Sequence, residues 1–344
     1  MNCMARYLMD AFSDMFQNYE RLEHRRTRAT ALDARTEAVA SNTQLVPQFS
    51  IQHFLRPLYD KGPPSPAQIG HHPDFLHLAH TEATERHAIT TMFMDLEGST
   101  RLSRFLDLDE VYRIKNAFIR AAIEVVRSFD GHVHRIMGDA VMAFFGRRGH
   151  APEQGDIDGL NCAAVLSHAV RSVVIPALGN DRLGVRIGLD HGPTTGVLWS
   201  AYGYPGVQEV TATSFYVDVA AKLQQSASRN KVMLGQSLKE FLDLPDDLLR
   251  VKEVERKGVT ETQPYVSPNY TGTDGRPMNY GQFELEVDKY LQLSPLAPSL
   301  DGDVSGLHVA AKLYDSQDGP CLGRAIPTGI AIGKGKWLRF QVVP

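Results

Sequence analysis

Apolar residues recur along this chain in two periods, and the switches between them mark its elements. From about Ala5 to Ala40, Leu8, Met9, Phe12, Met15, Phe16 and Tyr19 fall three and four apart ahead of a charged stretch, Arg21 to Arg28. That spacing predicts a helical arm over 1–45, either packed on its own chain or paired with a second copy. Pro47, Pro57, Pro63, Pro64, Pro66 and Pro73 then interrupt the pattern, so 46–86 reads as a linker with short helical turns that wraps the next domain. Strands and helices alternate over 87–268. Ile89–Leu96 reads as a strand, and Leu108–Phe129 as a helix with Val111, Ile114, Phe118, Ala121 and Ile123 inward, stopped by Gly131. Two short apolar runs flank Gly138-Asp139, which makes His132–Phe145 a hairpin. Leu160–Val174 reads as a helix, and Gly184–Asp190 as a strand whose pattern resumes after Gly192-Pro193. Phe215–Ser226 is the next helix, followed by Lys231–Leu234, a short helix near Leu238–Leu242, and strands near Val251–Val254 and Gln263–Val266.

The order βαββαβ predicts an α+β fold on the ferredoxin-like plan, with helices on one side of an antiparallel-containing sheet. In that plan the first strand and the hairpin are neighbours, which brings Asp95 and Asp139 to one end of the sheet. Over 269–344 a stretch rich in Gly, Pro, Asn and Thr leads into Gln282–Val287, Leu307–Leu313, Ile326–Ile332 and Trp337–Val343. These predict a small β-rich C-terminal domain, whose position suits a sensor.

Composition narrows the setting rather than the chemistry. At 344 residues, 43 % hydrophobic and 22 % charged, the chain is that of an ordinary globular protein. A net charge of -4 gives no global pull toward nucleic acid or anionic membrane. Asp10, Asp14 and Glu20 interrupt the N-terminal apolar residues too early for a signal peptide, and no stretch has the roughly 18 apolar residues of a membrane span. Cys3, Cys162 and Cys321 form neither a metal cluster nor a disulfide framework, so the cytoplasm is the expected location.

The chemistry lies in two aspartates within apolar strands. Asp95 closes Ile89-Thr90-Thr91-Met92-Phe93-Met94-Asp95 ahead of Leu96-Glu97-Gly98-Ser99-Thr100, and Asp139 sits in Arg135-Ile136-Met137-Gly138-Asp139. Such residues commonly cap helices or shape turns. Carboxylates at strand ends beside a Gly-bearing loop can also hold divalent cations against a triphosphate.

Taken with Val185-Arg186-Ile187-Gly188-Leu189-Asp190-His191-Gly192-Pro193, Val217-Asp218-Val219-Ala220-Ala221-Lys222-Leu223 and Arg256-Lys257-Gly258, these segments resemble, in order and spacing, the catalytic domain of class III nucleotidyl cyclases, the adenylate and guanylate cyclases. The resemblance implies that Asp95, Asp139 and the main-chain carbonyl of Leu96 bind two ions, Mn2+ or Mg2+. It implies that Glu97, Gly98, Ser99, Thr100 and Lys257 bind phosphates. Ser99 stands where the family usually has an aromatic residue, a departure expected to alter a loop contact and not the metal ligands. Arg135 and Thr211 take the places of the base-reading pair. At the first position adenylate cyclases have Lys and guanylate cyclases Glu, and the partner position has Asp or Cys, with Lys/Asp the adenine-reading pair. Arginine offers only donors and leaves less room for a bicyclic base. An arginine here resembles the bacterial pyrimidine cyclases of the Pycsar antiphage defence system, which make cUMP or cCMP as alarm signals. The expectation is therefore cyclisation of UTP, ahead of CTP, with a pairing of Arg135 to Glu209 or another carboxylate as the contrary case. Asp218 and Lys222 take the places of the catalytic Asn and Arg, one helical turn apart. Family members of this kind share residues across a dimer, which implies a head-to-tail homodimer with sites at its interface. Two other readings remain open: a purine cyclase with unusual base contacts, and a catalytically weak nucleotide-binding regulatory module.

Overall fold

The computed structural model describes residues 50–64, 68–177, 183–256, 258–266, 275 and 279–294, with the backbone of 324–327 and 340–343. The helical arm over 1–45, Lys257 and the strand at Leu307–Leu313 lie outside the described residues. Helix α1 (Ser50–Leu58) opens the described part, followed by a 3-10 turn at Pro73–Leu78 and a short strand β1 (Glu85–Arg86). The elements then run β2 (Ile89–Glu97), α2 (Ser99–Leu102), α3 (Leu108–Ser128), β3 (His132–Met137), β4 (Ala140–Phe145), α4 (Pro152–Ala169) and β5 (Gly184–Gly192). After β5 come β6 (Leu198–Tyr204), β7 (Val207–Thr213), α6 (Phe215–Ser226), β8 (Lys231–Gly235) and α7 (Gln236–Leu242), where α5 denotes the short helix Ile175–Ala177. Strands β9 (Leu249–Val251), β10 (Glu253–Arg256), β11 (Val259–Thr262) and β12 (Gln282–Leu285) and helix α8 (Val287–Gln292) complete the main body.

One seven-stranded sheet organises it, in the order β3-β4-β2-β5-β8-β12-β9. Its first four strands pair antiparallel, as the ferredoxin-like plan requires, and β5 pairs with β8 in parallel. Strand β2 alternates: Met92, Met94 and Leu96 point into the core, and Phe93, Asp95 and Glu97 are half-buried on the other face. Helix α3 begins at Asp107, whose carboxylate caps it by accepting from the Glu110 amide at 2.7 Å. Its inner face, Val111, Ile114, Phe118 and Val125, joins Met92, Met94 and Leu96 and the inner face of α4 in the main core.

Three expectations change. Helix α4 starts at Pro152, eight residues before the apolar pattern suggests. Polar residues in those first turns are buried in pairs: Asp156 accepts from Thr90 and meets His191 Nδ1 at 3.0 Å, and Lys61 Nζ contacts Asp158 at 2.7 Å. The helices do not all lie on one side, because α6 crosses the opposite face of the sheet. It comes so near that a Cβ on Gly188 would lie 2.1 Å from the Gln224 amide nitrogen. Finally, β12 pairs with both β8 and β9, so the boundary drawn at 268 separates a strand from the sheet that contains it. Of the four strands expected over 269–344, β13 (Arg324–Pro327) and β14 (Phe340–Val343) also form, as an antiparallel pair.

Strands β1, β6 and β7 make a second sheet. The ring of Trp199 stacks on Phe75 at 3.9 Å and joins Phe144 and Val210 in a separate core, which seats the β6–β7 hairpin over β3 and β4. No helix among the described residues is long and apolar enough to cross a membrane.

Candidate active site

The register of β2 places the first aspartate. Asp95 lies opposite Ala140 on one side and Arg186 on the other. Asp139, next to Ala140 in the β3–β4 turn, therefore comes to the same sheet end, and Gly138 takes the positive φ of 69° that this turn needs. Both carboxylates are held by cationic or donor groups. Arg186 grips Asp95 with both prongs, Nε at 3.1 Å and an Nη at 2.5 Å. The Asp95 hydrogen bond, then the charges of Asp95, Glu97 and Asp139, hold that guanidinium above its ordinary pKa. Arg186 is thus paired directly with Asp95 and feels the charges of Glu97 and Asp139 at longer range.

Asp139 accepts a hydrogen bond from the Ser99 hydroxyl and lies 3.8 Å from Lys115 Nζ. Ser99, expected to alter a loop contact, bonds directly to Asp139. Gly98, at φ 88°, forms the N-cap of the four-residue helix α2, so Glu97, Gly98, Ser99 and Thr100 wrap the same sheet end. Glu97 lies 3.4 Å from Arg229 Nε, and the Leu96 side chain is buried in the core. Two partly exposed aspartates with hard oxygen donors fit a divalent ion, and the cations already gathered on them show what charge this corner attracts.

A second cluster sits on β3 and β7. Arg135 donates from Nε to Glu209 Oε1 at 3.1 Å and from an Nη to Oε2, a bidentate pair. Thr211 lies two residues further along β7, on the same strand face as Glu209 and opposite Ser200. The structure thus brings Arg135 and Thr211 to one patch and adds Glu209, realising the contrary case in which a carboxylate holds the arginine. Behind the pair a strap from the linker passes between β3 and β7. The Gly70 carbonyl meets His132 Nε2 at 2.7 Å and His134 Nδ1 at 2.9 Å, and the Val210 amide donates to His71 Nδ1 at 2.9 Å. Burial, opposed by the Gly70 contact, lowers the pKa of His132 to about 4 and lowers that of His134.

Asp218 and Lys222 lie on one face of α6, Asp218 exposed. Asp218 is in the first turn, where the helix dipole favours a carboxylate. The start of α6 lies by Gly192, since Ser214 Oγ is 3.6 Å from a Cβ built there, whereas Asp95 faces Arg186 at the other end of β5. Six strand residues separate those ends by roughly 20 Å. Within one chain, therefore, the metal-type corner and the start of α6 do not meet.

Sequence reading missed Arg186 and Ser99 as partners of the aspartates. The signal was present for Arg186: it stands in the Val185–Pro193 motif, and only the antiparallel register puts it across from Asp95.

Residues 81–267 match the adenylate and guanylate cyclase catalytic domain. A cytidylate cyclase from Escherichia coli is 38 % identical over 353 residues, covering 97 % of this chain and 73 % of that protein. A cytidylate cyclase from Staphylococcus aureus is 35 % identical over 236 residues, covering 67 % of this chain, which spans 53 % of that protein's length. A uridylate cyclase from Burkholderia cepacia is 26 % identical over 106 residues, 31 % of this chain and 44 % of that protein.

Proposed function

Starting from the fact that the chain belongs to the adenylate and guanylate cyclase catalytic-domain family, we propose that it cyclises a pyrimidine nucleoside triphosphate to the 3',5'-cyclic monophosphate. The observation behind this reading is the register that brings Asp95 and Asp139 to one sheet end, where Ser99 of the Glu97–Thr100 turn hydrogen-bonds Asp139. Asp95, Asp139 and the Leu96 carbonyl hold two divalent cations, Mn2+ or Mg2+. When bound, such ions neutralise the triphosphate and acidify the ribose 3'-hydroxyl. The 3'-hydroxyl gives its proton to solvent as its oxygen attacks the α-phosphorus, the bond from that phosphorus to the bridging oxygen breaks, and pyrophosphate leaves with that oxygen.

Ser99 and Lys115 keep Asp139 oriented, and Arg186, once displaced from Asp95, remains beside the phosphates as a fixed positive charge. The Glu97–Thr100 backbone and Lys257 receive the β- and γ-phosphates. Lys222 neutralises the α-phosphate, as a point charge without an arginine's fork, and Asp218 faces the ribose hydroxyls. Arg135 and Thr211 face the base. Because Asp218, at the start of α6, lies far from Asp95 within one chain, a head-to-tail homodimer would bring a second copy's Asp218 to each site.

The expectation of UTP rests on donors that Arg135 alone presents. Glu209 occupies that fork, and the relatives from Escherichia coli and Staphylococcus aureus are named cytidylate cyclases, so CTP takes precedence over UTP. A messenger role in antiphage defence, within the cytoplasm, follows from the likeness to the Pycsar cyclases. Incubation of purified protein with Mn2+ and each of the four ribonucleoside triphosphates tests the activity. Cyclic pyrimidine nucleotide is expected, and product from ATP or GTP alone would overturn the reading.

A further inference from the structure

We propose that Glu209 is the residue that selects cytosine over uracil, by accepting a hydrogen bond from the 4-amino group. The inference rests on the pyrimidine-cyclase reading and deepens it. The Watson–Crick edge of cytosine carries an amino donor followed by two acceptors, N3 and O2. A carboxylate beside a guanidinium offers the complementary order, acceptor then donors, and Glu209 with Arg135 is such a pair. Uracil presents a carbonyl oxygen at the same corner, so its lone pairs face those of the carboxylate.

The carboxylate is fixed before any base arrives. Arg135 holds both oxygens, and the buried His134 ring, tied to Gly70 through Nδ1, lies beside the pair. The His134 side chain is fully buried, whereas those of Glu209 and Arg135 remain 34 % and 44 % exposed, so the pair has an outer edge left for a ligand. Thr211, on the same strand face, adds a hydroxyl that can donate or accept and therefore discriminates little. Adenine shares cytosine's edge polarity. Glu209 thus reads amino against oxo and does not by itself separate pyrimidine from purine.

The test compares kcat/KM for CTP and UTP, with Mn2+, in the wild type and in Glu209→Gln. Glutamine keeps the shape but can also donate to a 4-oxo group, so the CTP/UTP ratio falls about tenfold or more, within the range of a single good base contact. A second arm needs no variant: the triphosphate of 2-pyrimidinone riboside, which is CTP without its 4-amino group, turns over at least about fivefold less efficiently than CTP in the wild type. A wild type that prefers UTP, or a ratio unchanged in Glu209→Gln together with an analogue used as well as CTP, would overturn the assignment while leaving a pyrimidine cyclase in place. Preference for a purine in the first assay would remove the underlying reading and this inference with it.

Discussion

Arg186 and Asp95 face each other across adjacent antiparallel strands, and the guanidinium occupies both carboxylate oxygens. A cation that uses Asp95 must displace that arginine. In Arg186→Ala the carboxylate is left beside Glu97 and Asp139 with its main partner gone. The variant should melt lower than wild type in metal-free buffer, by about 1–3 kcal/mol for a lost charge-assisted pair. Added Mn2+ should raise its melting temperature by more than it raises that of the wild type. Thermal scans with and without Mn2+ check this, and equal metal-induced shifts would count against it.

Gly188 is where α6 rests on β5: a Cβ added there would sit 2.6 Å from the Ala220 carbonyl oxygen and 2.1 Å from the Gln224 amide nitrogen. Both neighbours are backbone, so Gly188→Ala can be accommodated only by moving the helix. We expect a loss of about 1–3 kcal/mol in urea denaturation, the usual cost of overpacking. Turnover should fall with it, because Asp218 and Lys222 move with the helix.

Lys222 lies one turn after Asp218 on the same face of α6. If it neutralises the α-phosphate as charge develops there, Lys222→Ala lowers kcat about a hundredfold with a smaller change in KM. Lys222→Arg retains most of the activity or improves on it. Steady-state kinetics on the two variants decide the matter, and an unchanged kcat in Lys222→Ala would exclude the role.

Glu124 on α3 is buried where α1 brings Gln52 against it, and burial, partly offset by hydrogen bonds from Gln52, raises its pKa to about 7. A carboxyl group whose pKa is raised by folding stabilises the fold fully below its unfolded value, near 4.5. That contribution is lost as pH rises through about 7. Relative to Glu124→Gln, the wild type should therefore lose up to about 3 kcal/mol between pH 4.5 and 7.5 and little beyond. Denaturation series for both proteins at several pH values test the slope, and parallel curves would contradict it.

The parts of this molecule with one clear period were readable from sequence. Strand β2 ends within one residue of its expected limit, α6 matches its expected limits at both ends, and the Gly138-Asp139 turn joins β3 to β4. Reading failed where burial is polar. The first turns of α4 hide Asp156 and Asp158 in pairs with residues distant in sequence, so no apolar stripe announces them. Strand β12 follows a stretch that reads as a domain boundary and is claimed for the sheet by long-range pairing with β8. At the site, the ordered motifs pointed to Asp95 and Asp139. Glu209 stood in the sequence reading as the contrary partner of Arg135, whereas the partners Arg186 and Ser99 came only from strand register and loop closure, which set neighbours without leaving a local signature.

The most direct measurement is formation of cyclic pyrimidine nucleotide from CTP by Asp95→Asn and Asp139→Asn, each beside the wild type at saturating Mn2+. Both substitutions preserve side-chain size and remove the charge proposed to bind the cations. Each should reduce turnover by about a hundredfold or more while the protein remains folded. Folded variants that make the product at the wild-type rate would show that these carboxylates do not support the chemistry.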